Sequence, residues 1–136
     1  MSRFDDRIID EFRANEGKVG GRFAGASLLL LTTTGRRSGE ARVAPLAYLA
    51  DGDRYVVVGS NGGKDTDPAW VTNLQADPAA TVEVGSASFP ADVTVLTEGP
   101  ERDRLYTAIA TAMPGFAAYQ EATQRVIPVV VLAPKG

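Results

Sequence analysis

The chain of 136 residues contains no cysteine and no histidine. Without cysteine there are no disulfides and no thiol redox chemistry, and without histidine the commonest general base and metal ligand is missing. The apolar runs are far too short to cross a bilayer, and the first residues lack the apolar core of a signal peptide. These absences predict a cytoplasmic protein whose chemistry comes from a bound cofactor.

Sequence motifs of several enzyme classes are also absent. The chain has no Gly-x-Gly-x-x-Gly loop, no lysine loop of the Walker type and no Gly-x-Ser-x-Gly nucleophile turn. The formal net charge of −3 argues against a general nucleic-acid binder, which depends on many basic contacts to phosphates. The expected partner is therefore a small molecule and not a nucleic acid.

Basic residues are concentrated in one part of this acidic chain, because residues 18–42 hold five basic side chains against one acidic one. A local excess of positive charge on an acidic protein indicates a discrete anionic ligand. The five basic residues are Lys18, Arg22, Arg36, Arg37 and Arg42.

The segment that follows the apolar run 28–31 has the composition of an anion-binding turn. Gly35 and Gly39 allow the backbone to fold tightly and present its N–H groups, while Thr34, Ser38 and the arginines supply donors suited to phosphate oxygens. Taken alone, the same segment also fits a solvated hairpin turn whose arginines serve only solubility. Phosphate recognition is the first functional hypothesis, and the rest of the chain has to support it.

The spacing of apolar residues predicts a small α+β domain, a barrel-like antiparallel sheet with helices on its outside. The chain is divided into an N-terminal amphipathic helix, residues 1–16, and a barrel domain, residues 17–136. Six strands are expected, the first three as an antiparallel meander: 27–34, 41–49, 54–60, 80–84, 88–96 and 127–132. Helices are expected at 3–14, 68–75, 98–112 and 116–123, the second with Asp67 as N-cap and Pro68 at its first position.

A second candidate site lies at the end of the predicted strand 54–60. Ser60 and Asn61 offer polar groups to the edge of a planar ring, and Gly62 allows close backbone approach. An ordinary Asn-Gly turn is the alternative. On the next predicted helix Trp70 and Asn73 share a face, where Trp70 is expected mainly to cover the sheet.

A third candidate lies near the C-terminal end of the sequence. Phe116 and Tyr119 share a helical face, so they form a possible wall for a flat apolar substrate, and Tyr119 can also donate a proton. Core packing is the alternative for both rings. Arg125 is expected to act as a helix-end charge, with a cofactor contact as the other reading.

These motifs, in this order and spacing, make the chain similar to the deazaflavin-dependent nitroreductase family. The resemblance extends from about residue 17 to residue 134. The segments that carry it are 28–39, 42–46, 60–63, 68–74 and 127–132, together with Tyr119, Gln120, Thr123 and Arg125.

The resemblance implies a split β-barrel, like that of flavin-mononucleotide-binding oxidoreductases, that holds coenzyme F-420, an 8-hydroxy-5-deazaflavin with a phosphate and an oligoglutamate tail. It further implies that Arg36, Arg37 and Arg42 hold the phosphate, with Thr34, Gly35 and Ser38 assisting, and that Lys18 and Arg22 meet the tail. The residues implied around the ring system are Pro45, Ser60, Asn61, Gly62, Trp70 and Asn73.

The implied reaction is hydride transfer from the reduced coenzyme to a conjugated, electron-poor acceptor such as a quinone, an enone-containing lactone or a nitroaromatic. Ser60, bound water or Tyr119 is the expected proton donor. Met113, Phe116 and Tyr119 would contact the acceptor. Family members that reduce nitroimidazoles look tyrosine-rich where this chain has Met113 and Phe116, so quinone or enone reduction is the preferred interpretation.

Several alternatives stay open at the level of the sequence. The same barrel would suit flavin mononucleotide (FMN), whose phosphate would use the same arginines. A deazaflavin carrier without catalysis, and an interaction domain that contacts an acidic partner through its basic turn, are two further readings. Monomer and homodimer are both open, as is peripheral membrane association through the N-terminal helix.

Overall fold

The computed structural model describes residues 3–17, 27–60 and 66–135. In this part of the chain, seven strands and four helices form an α+β arrangement. The helices are α1 (Arg3–Ala14), α2 (Ala69–Ala76), α3 (Pro100–Ala112) and α4 (Gly115–Glu121). The strands are β1 (Leu28–Thr34), β2 (Ala41–Ala47), β3 (Leu49–Asp51), β4 (Arg54–Val58), β5 (Ala80–Val84), β6 (Ala87–Leu96) and β7 (Val129–Pro134).

The strands form one antiparallel sheet in the order β2-β1-β5-β6-β7-β4-β3. Its two edge strands, β2 and β3, are consecutive in the chain and are separated only by Tyr48. Because one residue cannot span a flat seven-stranded sheet, the sheet must curl until its edges are close together. The result is the curled, split form of an antiparallel barrel that the sequence analysis predicts.

Three apolar clusters hold the helices on this sheet. Inside the curl, α2 packs through Trp70, Val71 and Leu74 onto side chains of β1, β4, β5 and β7. On the outer face, α3 covers β4 and β7 through Leu105 and Ile109. The two faces arise because side chains alternate along each strand, as in β4, where Val57 faces inwards and Val56 and Val58 face α3.

The N-terminal helix is part of this packing. The apolar stripe that its sequence predicts is found: Ile8, Ile9 and Phe12 are buried against Leu28 and Leu30 of β1. This stripe is therefore already covered by the sheet. No helix in the described ranges is long and apolar enough to cross a membrane. The proposed boundary between residues 16 and 17 and the cytoplasmic location stay predictions.

The predicted elements need two corrections. The expected strand 41–49 is two strands, so the sheet has seven; the predicted antiparallel pairing of neighbouring strands is found for β1 with β2 and for β3 with β4, and β4 also pairs along its length with β7. Only the short β3 joins β4 to the preceding segment. The predicted cap of α2 is also wrong: Pro68 is the N-cap, without a side-chain hydrogen bond, and the carboxylate of Asp67 pairs elsewhere.

Candidate functional site

The turn between β1 and β2 is closed by its own backbone. The Gly35 N–H donates to the Glu40 carbonyl at 2.8 Å, and the Gly39 N–H donates to the Gly35 carbonyl at 2.8 Å. Gly39 has a φ of +71°, a conformation that favours glycine. A Cβ atom on Gly35 would lie 2.6 Å from the Ser38 Oγ. The backbone conformation of the turn thus favours glycine at position 39, and a side chain at position 35 would crowd the Ser38 hydroxyl.

Asn73 of α2 fixes this turn from behind. Its Oδ1 accepts a hydrogen bond from the Arg36 backbone N–H at 3.1 Å, and its Nδ2 donates to the Thr33 Oγ1 at 3.2 Å. Asn73 and Thr33 are both buried. A buried amide that satisfies donor and acceptor at once sets the position of both partners. The turn is therefore held in a defined place relative to α2.

The three arginines of the turn differ in their partners. The Arg36 Nη1 donates to the Thr72 Oγ1 at 2.9 Å. The Arg42 Nη2 lies 3.5 Å from the Ser38 Oγ and 3.6 Å from a carboxylate oxygen of Glu40, both at the exposed surface. Among the described side chains, those of residues 7–17, 27–60 and 66–135, no carboxylate lies within 4 Å of Arg36 or Arg37. The positive charge of this turn is therefore largely unpaired by carboxylates of the described residues.

A cavity of about 500 Å³ opens between this turn and α2. Its wall combines cationic and hydroxyl groups from the turn with apolar and amide groups from β2 and α2. This suits a ligand with an anionic end and a flat, largely apolar body. The lining residues are Gly35, Arg36, Arg37, Ser38, Arg42, Val43, Ala44, Ala69, Trp70 and Asn73.

Most of the phosphate-site residues predicted from the sequence therefore lie together around one cavity. Trp70 and Asn73 come to the same cavity from α2, as their spacing predicts. Trp70 is 9% exposed and packs in the inner cluster, so it covers the sheet and lines the cavity at once. The donor set and the open volume fit a phosphate-bearing planar cofactor.

Other predicted residues lie outside the lining of this cavity. Thr34 ends β1 next to Gly35, and Pro45 lies in β2 opposite Leu30. Ser60 is buried just after β4. Their roles at the ring of a cofactor stay predictions. Lys18, Arg22, Asn61 and Gly62 lie outside the described residues.

The predicted acceptor-binding residues belong to another part of the structure. Met113 and Phe116 are half-buried against the α3 cluster, and the Tyr106 hydroxyl donates to the Phe116 carbonyl. The rings of Phe116 and Tyr119 meet edge to face, with centroids 5.4 Å apart. Tyr119 is 36% exposed. None of Met113, Phe116 and Tyr119 lines the cavity beside the turn, and their contact with an acceptor stays a prediction.

Arg125 makes contacts that its sequence position did not predict. Its Nη1 pairs with the Asp67 carboxylate at 2.7 Å, and its Nη2 donates to the carbonyls of Gly59 and Ser60, each at 3.0 Å. The expected role as a helix-end charge is therefore replaced by a link between β4 and the start of α2. Thr33 is likewise not predicted as a partner of Asn73. Neither the Asn73–Thr33 hydrogen bond nor the contacts of Arg125 follow from spacing along the chain.

Comparisons with known proteins agree with this description. A solved structure of a protein described as "F420-H2 Dependent Reductase (FDR-A)" is 36% identical, has a TM-score of 0.71, and covers 78% of this chain and 93% of its own. A second, described as a domain-swapped dimer, is 33% identical with a TM-score of 0.74, covering 96% of this chain and 95% of its own. The curled sheet with its outer helices is thus the split barrel of deazaflavin-dependent reductases.

The family is given by the sequence comparisons. A model of the family "F420H(2)-dependent quinone reductase" matches residues 6–134. An F420H(2)-dependent quinone reductase of Mycobacterium tuberculosis is 37% identical over 135 residues, which are 97% of this chain and 89% of that protein. The chain belongs to the F420H(2)-dependent quinone reductase family, whose members are oxidoreductases that use coenzyme F-420. The resemblance found in the sequence is confirmed at the level of family, fold and cofactor.

Proposed function

We propose that this protein reduces quinones with reduced coenzyme F-420 as the hydride donor. The observation that carries the proposal is the cavity of about 500 Å³ beside a turn whose arginines have few carboxylate partners among the described residues. When bound, the reduced coenzyme supplies a hydride, and the quinone becomes a hydroquinone by accepting that hydride and one proton. Neither cysteine nor histidine is needed for this reaction.

The turn between β1 and β2 provides the phosphate site in this proposal. Arg37 and Arg42 would hold the phosphate with charge-assisted hydrogen bonds, and Arg36 would add its charge from a position held by Thr72 and Asn73. Because Thr72 and Asn73 already hold Arg36, this donor loses little entropy when the ligand arrives. Lys18 and Arg22 are proposed to contact the anionic tail of the coenzyme.

The walls contributed by β2 and α2 are proposed to hold the ring system. Trp70 and Ala44 supply apolar surface, and Asn73 fixes the turn, so the ring and the phosphate are located by one connected set of contacts. Pro45 and Ser60 are proposed at the ring edge. By fixing both ends of the coenzyme, these residues reduce the entropy cost of bringing donor and acceptor together.

A side chain or water must supply the proton that the quinone takes up. Ser60 and Tyr119 are the proposed donors among the side chains, and the partial exposure of Tyr119 allows it to recover a proton from solvent. Met113 and Phe116 are proposed as the apolar wall for the acceptor. Enone lactones and nitroaromatics belong in the same acceptor panel, where quinones are expected to react best.

Coenzyme binding is tested first, because Trp70 is the only tryptophan of the chain and lines the cavity. The fluorescence of Trp70 should be quenched on titration with coenzyme F-420, and more weakly or not at all with FMN. Arg37→Ala removes one charge-assisted contact, worth on the order of 1.5 to 3 kcal/mol, so the coenzyme Kd should rise roughly 10- to 100-fold.

The matched control is Arg13→Ala. Arg13 forms its ion pair with Glu83 at 2.9 Å, away from the cavity, so its loss should leave the Kd unchanged. Quinone reduction by the wild-type protein is then followed with the reduced coenzyme and a set of benzoquinones and naphthoquinones. Tight binding of FMN alone, or no turnover of any quinone by protein that binds the coenzyme, would contradict the proposal.

A further inference from the structure

Arg125, which lies far along the sequence from both, connects the end of β4 with the segment that leads into α2. One of its nitrogens holds the Asp67 carboxylate at 2.7 Å, immediately before α2, and another donates to two successive carbonyls, Gly59 and Ser60, at the end of β4. The Arg125 side chain is only 16% exposed. Its guanidinium therefore fixes the start of α2 against the end of β4 with three contacts in a protected position.

The packing at Gly59 shows independently that β4 and α2 meet closely here. The Gly59 N–H donates to the Pro128 carbonyl at 2.9 Å, which ties the residue to the segment before β7. A Cβ atom on Gly59 would lie 2.7 Å from the Val71 Cγ2 and 3.0 Å from the Pro128 Cγ. Since Val71 belongs to α2, a side chain at position 59 would press on this helix through the Val71 side chain.

The position of α2 determines the shape of the candidate site. Trp70 and Asn73 line the cavity from this helix, and Asn73 also holds the Arg36 amide of the turn. A displacement of α2 by a fraction of an ångström would therefore change both the width of the cavity and the position of the turn. Arg125 itself is absent from the lining of the cavity.

We infer that Arg125 is a positioning residue for the reductase site: it holds α2 at the separation from β4 that keeps Trp70 and Asn73 in place. The inference rests on the proposed function. The contact set requires arginine, because a planar guanidinium can serve a carboxylate and two carbonyls at once, whereas a lysine ammonium is a single point charge on a flexible chain. Arg125→Lys therefore keeps the positive charge opposite Asp67 and loses part of the positioning.

The test compares Arg125→Lys and Gly59→Ala with Arg13→Lys. The control replaces an arginine that also bridges a helix and a strand through a carboxylate, but far from the cavity. Acrylamide quenching of Trp70 in the absence of coenzyme reports the position of α2 directly. Turnover of a naphthoquinone gives kcat and KM, and thermal unfolding identifies any variant that is not folded at the assay temperature.

Arg125→Lys and Gly59→Ala should both make Trp70 more accessible to acrylamide. They should also lower kcat about tenfold or more, because a small displacement of aligned reactants lowers the reaction rate strongly. The KM for the quinone should change less than kcat. The control should match the wild-type protein in quenching and kcat. If folded Arg125→Lys protein shows wild-type quenching and wild-type kcat, the inference is wrong.

The result also separates this inference from the proposed function. A wild-type protein that binds no coenzyme and reduces no quinone refutes the function, while the quenching measurement still tests the position of α2. Normal wild-type activity with unaltered kcat in folded Arg125→Lys and Gly59→Ala refutes the inference alone. Gly59→Ala acts by steric pressure and Arg125→Lys by lost contacts, so agreement between them excludes an effect of charge.

Discussion

Replacement of Asn73 by leucine is the sharpest test of how the turn is held. Leucine has a similar size but neither accepts the Arg36 N–H nor donates to the Thr33 Oγ1. Arg36 lies at an exposed turn, so its amide can turn to water, whereas the Thr33 hydroxyl is buried and loses its partner. Two lost hydrogen bonds with one buried partner left unsatisfied should cost about 2 to 4 kcal/mol of unfolding free energy.

For a domain of this size, such a loss should lower the melting temperature by roughly 10 °C. The measurement is thermal and urea unfolding of Asn73→Leu beside Thr72→Val. The control removes two exposed contacts of the Thr72 hydroxyl, with Arg36 Nη1 and with the Ala69 carbonyl, but leaves both bonds of Asn73 intact, so it should cost less than about 1 kcal/mol. Equal unfolding free energies for Asn73→Leu and wild type would refute this account of the turn.

Asn73→Asp separates stability from ligand binding at the same position. The carboxylate still accepts the Arg36 N–H, and the Thr33 hydroxyl can rotate to donate to it, so stability should fall less than in Asn73→Leu. The new negative charge lines the cavity beside the arginines and should weaken binding of a phosphate-bearing coenzyme at least tenfold. An unchanged coenzyme Kd in this variant would place the phosphate elsewhere.

Two further outcomes are expected. Gly35→Ala should distort the turn, since its Cβ would lie 2.6 Å from the Ser38 Oγ. The variant should therefore bind the coenzyme more weakly in the fluorescence titration. Unchanged binding would show that the turn adapts to the added methyl group. A hydrogen bond from Arg54 holds the pKa of Asp51 below its ordinary value of 3.8, so stability from this pair is present above pH 4 and is lost as the pH falls through the folded-state pKa. Between pH 5 and pH 3 the melting temperature should therefore fall less steeply for Asp51→Asn than for the wild-type protein. Parallel curves of melting temperature against pH for the two proteins would contradict a stabilising Asp51–Arg54 pair.

Local signals in the sequence were enough to predict most of the elements. The bounds of α1 and β5 are as expected from apolar periodicity, and α3 ends at Ala112 as expected but begins at Pro100, two residues after its predicted start. The turn at residues 35–39 was recognisable because glycines, hydroxyls and arginines follow one another in the chain. The conformation of each of these segments depends on residues that lie within a few positions of one another in the chain.

The errors arise where the structure depends on distant partners. The break between β2 and β3 at Tyr48 follows from curling of the whole sheet, which the sequence of one strand does not indicate. The pairing of β4 with β7 joins residues that are far apart in the chain. Asp67 has the sequence context of a helix cap but binds Arg125, which lies far along the sequence. Likewise, the spacing of Asn73 places it at the cavity but does not indicate its two hydrogen bonds, to Thr33 and to the Arg36 N–H. Charged and amide side chains form ion pairs and hydrogen bonds with residues that are distant in the chain, and the spacing of residues in the sequence does not indicate these partners.

The pairing of β7 has a consequence for how the chain folds. This strand lies between β6 and β4, so the hairpin of β3 and β4 has no long strand partner until residues 129–134 are in place. During synthesis, the β4 edge would stay open while two strands and three helices are made, and open apolar edges are prone to wrong pairing. Folding of this barrel should therefore be slow and should finish with the insertion of β7.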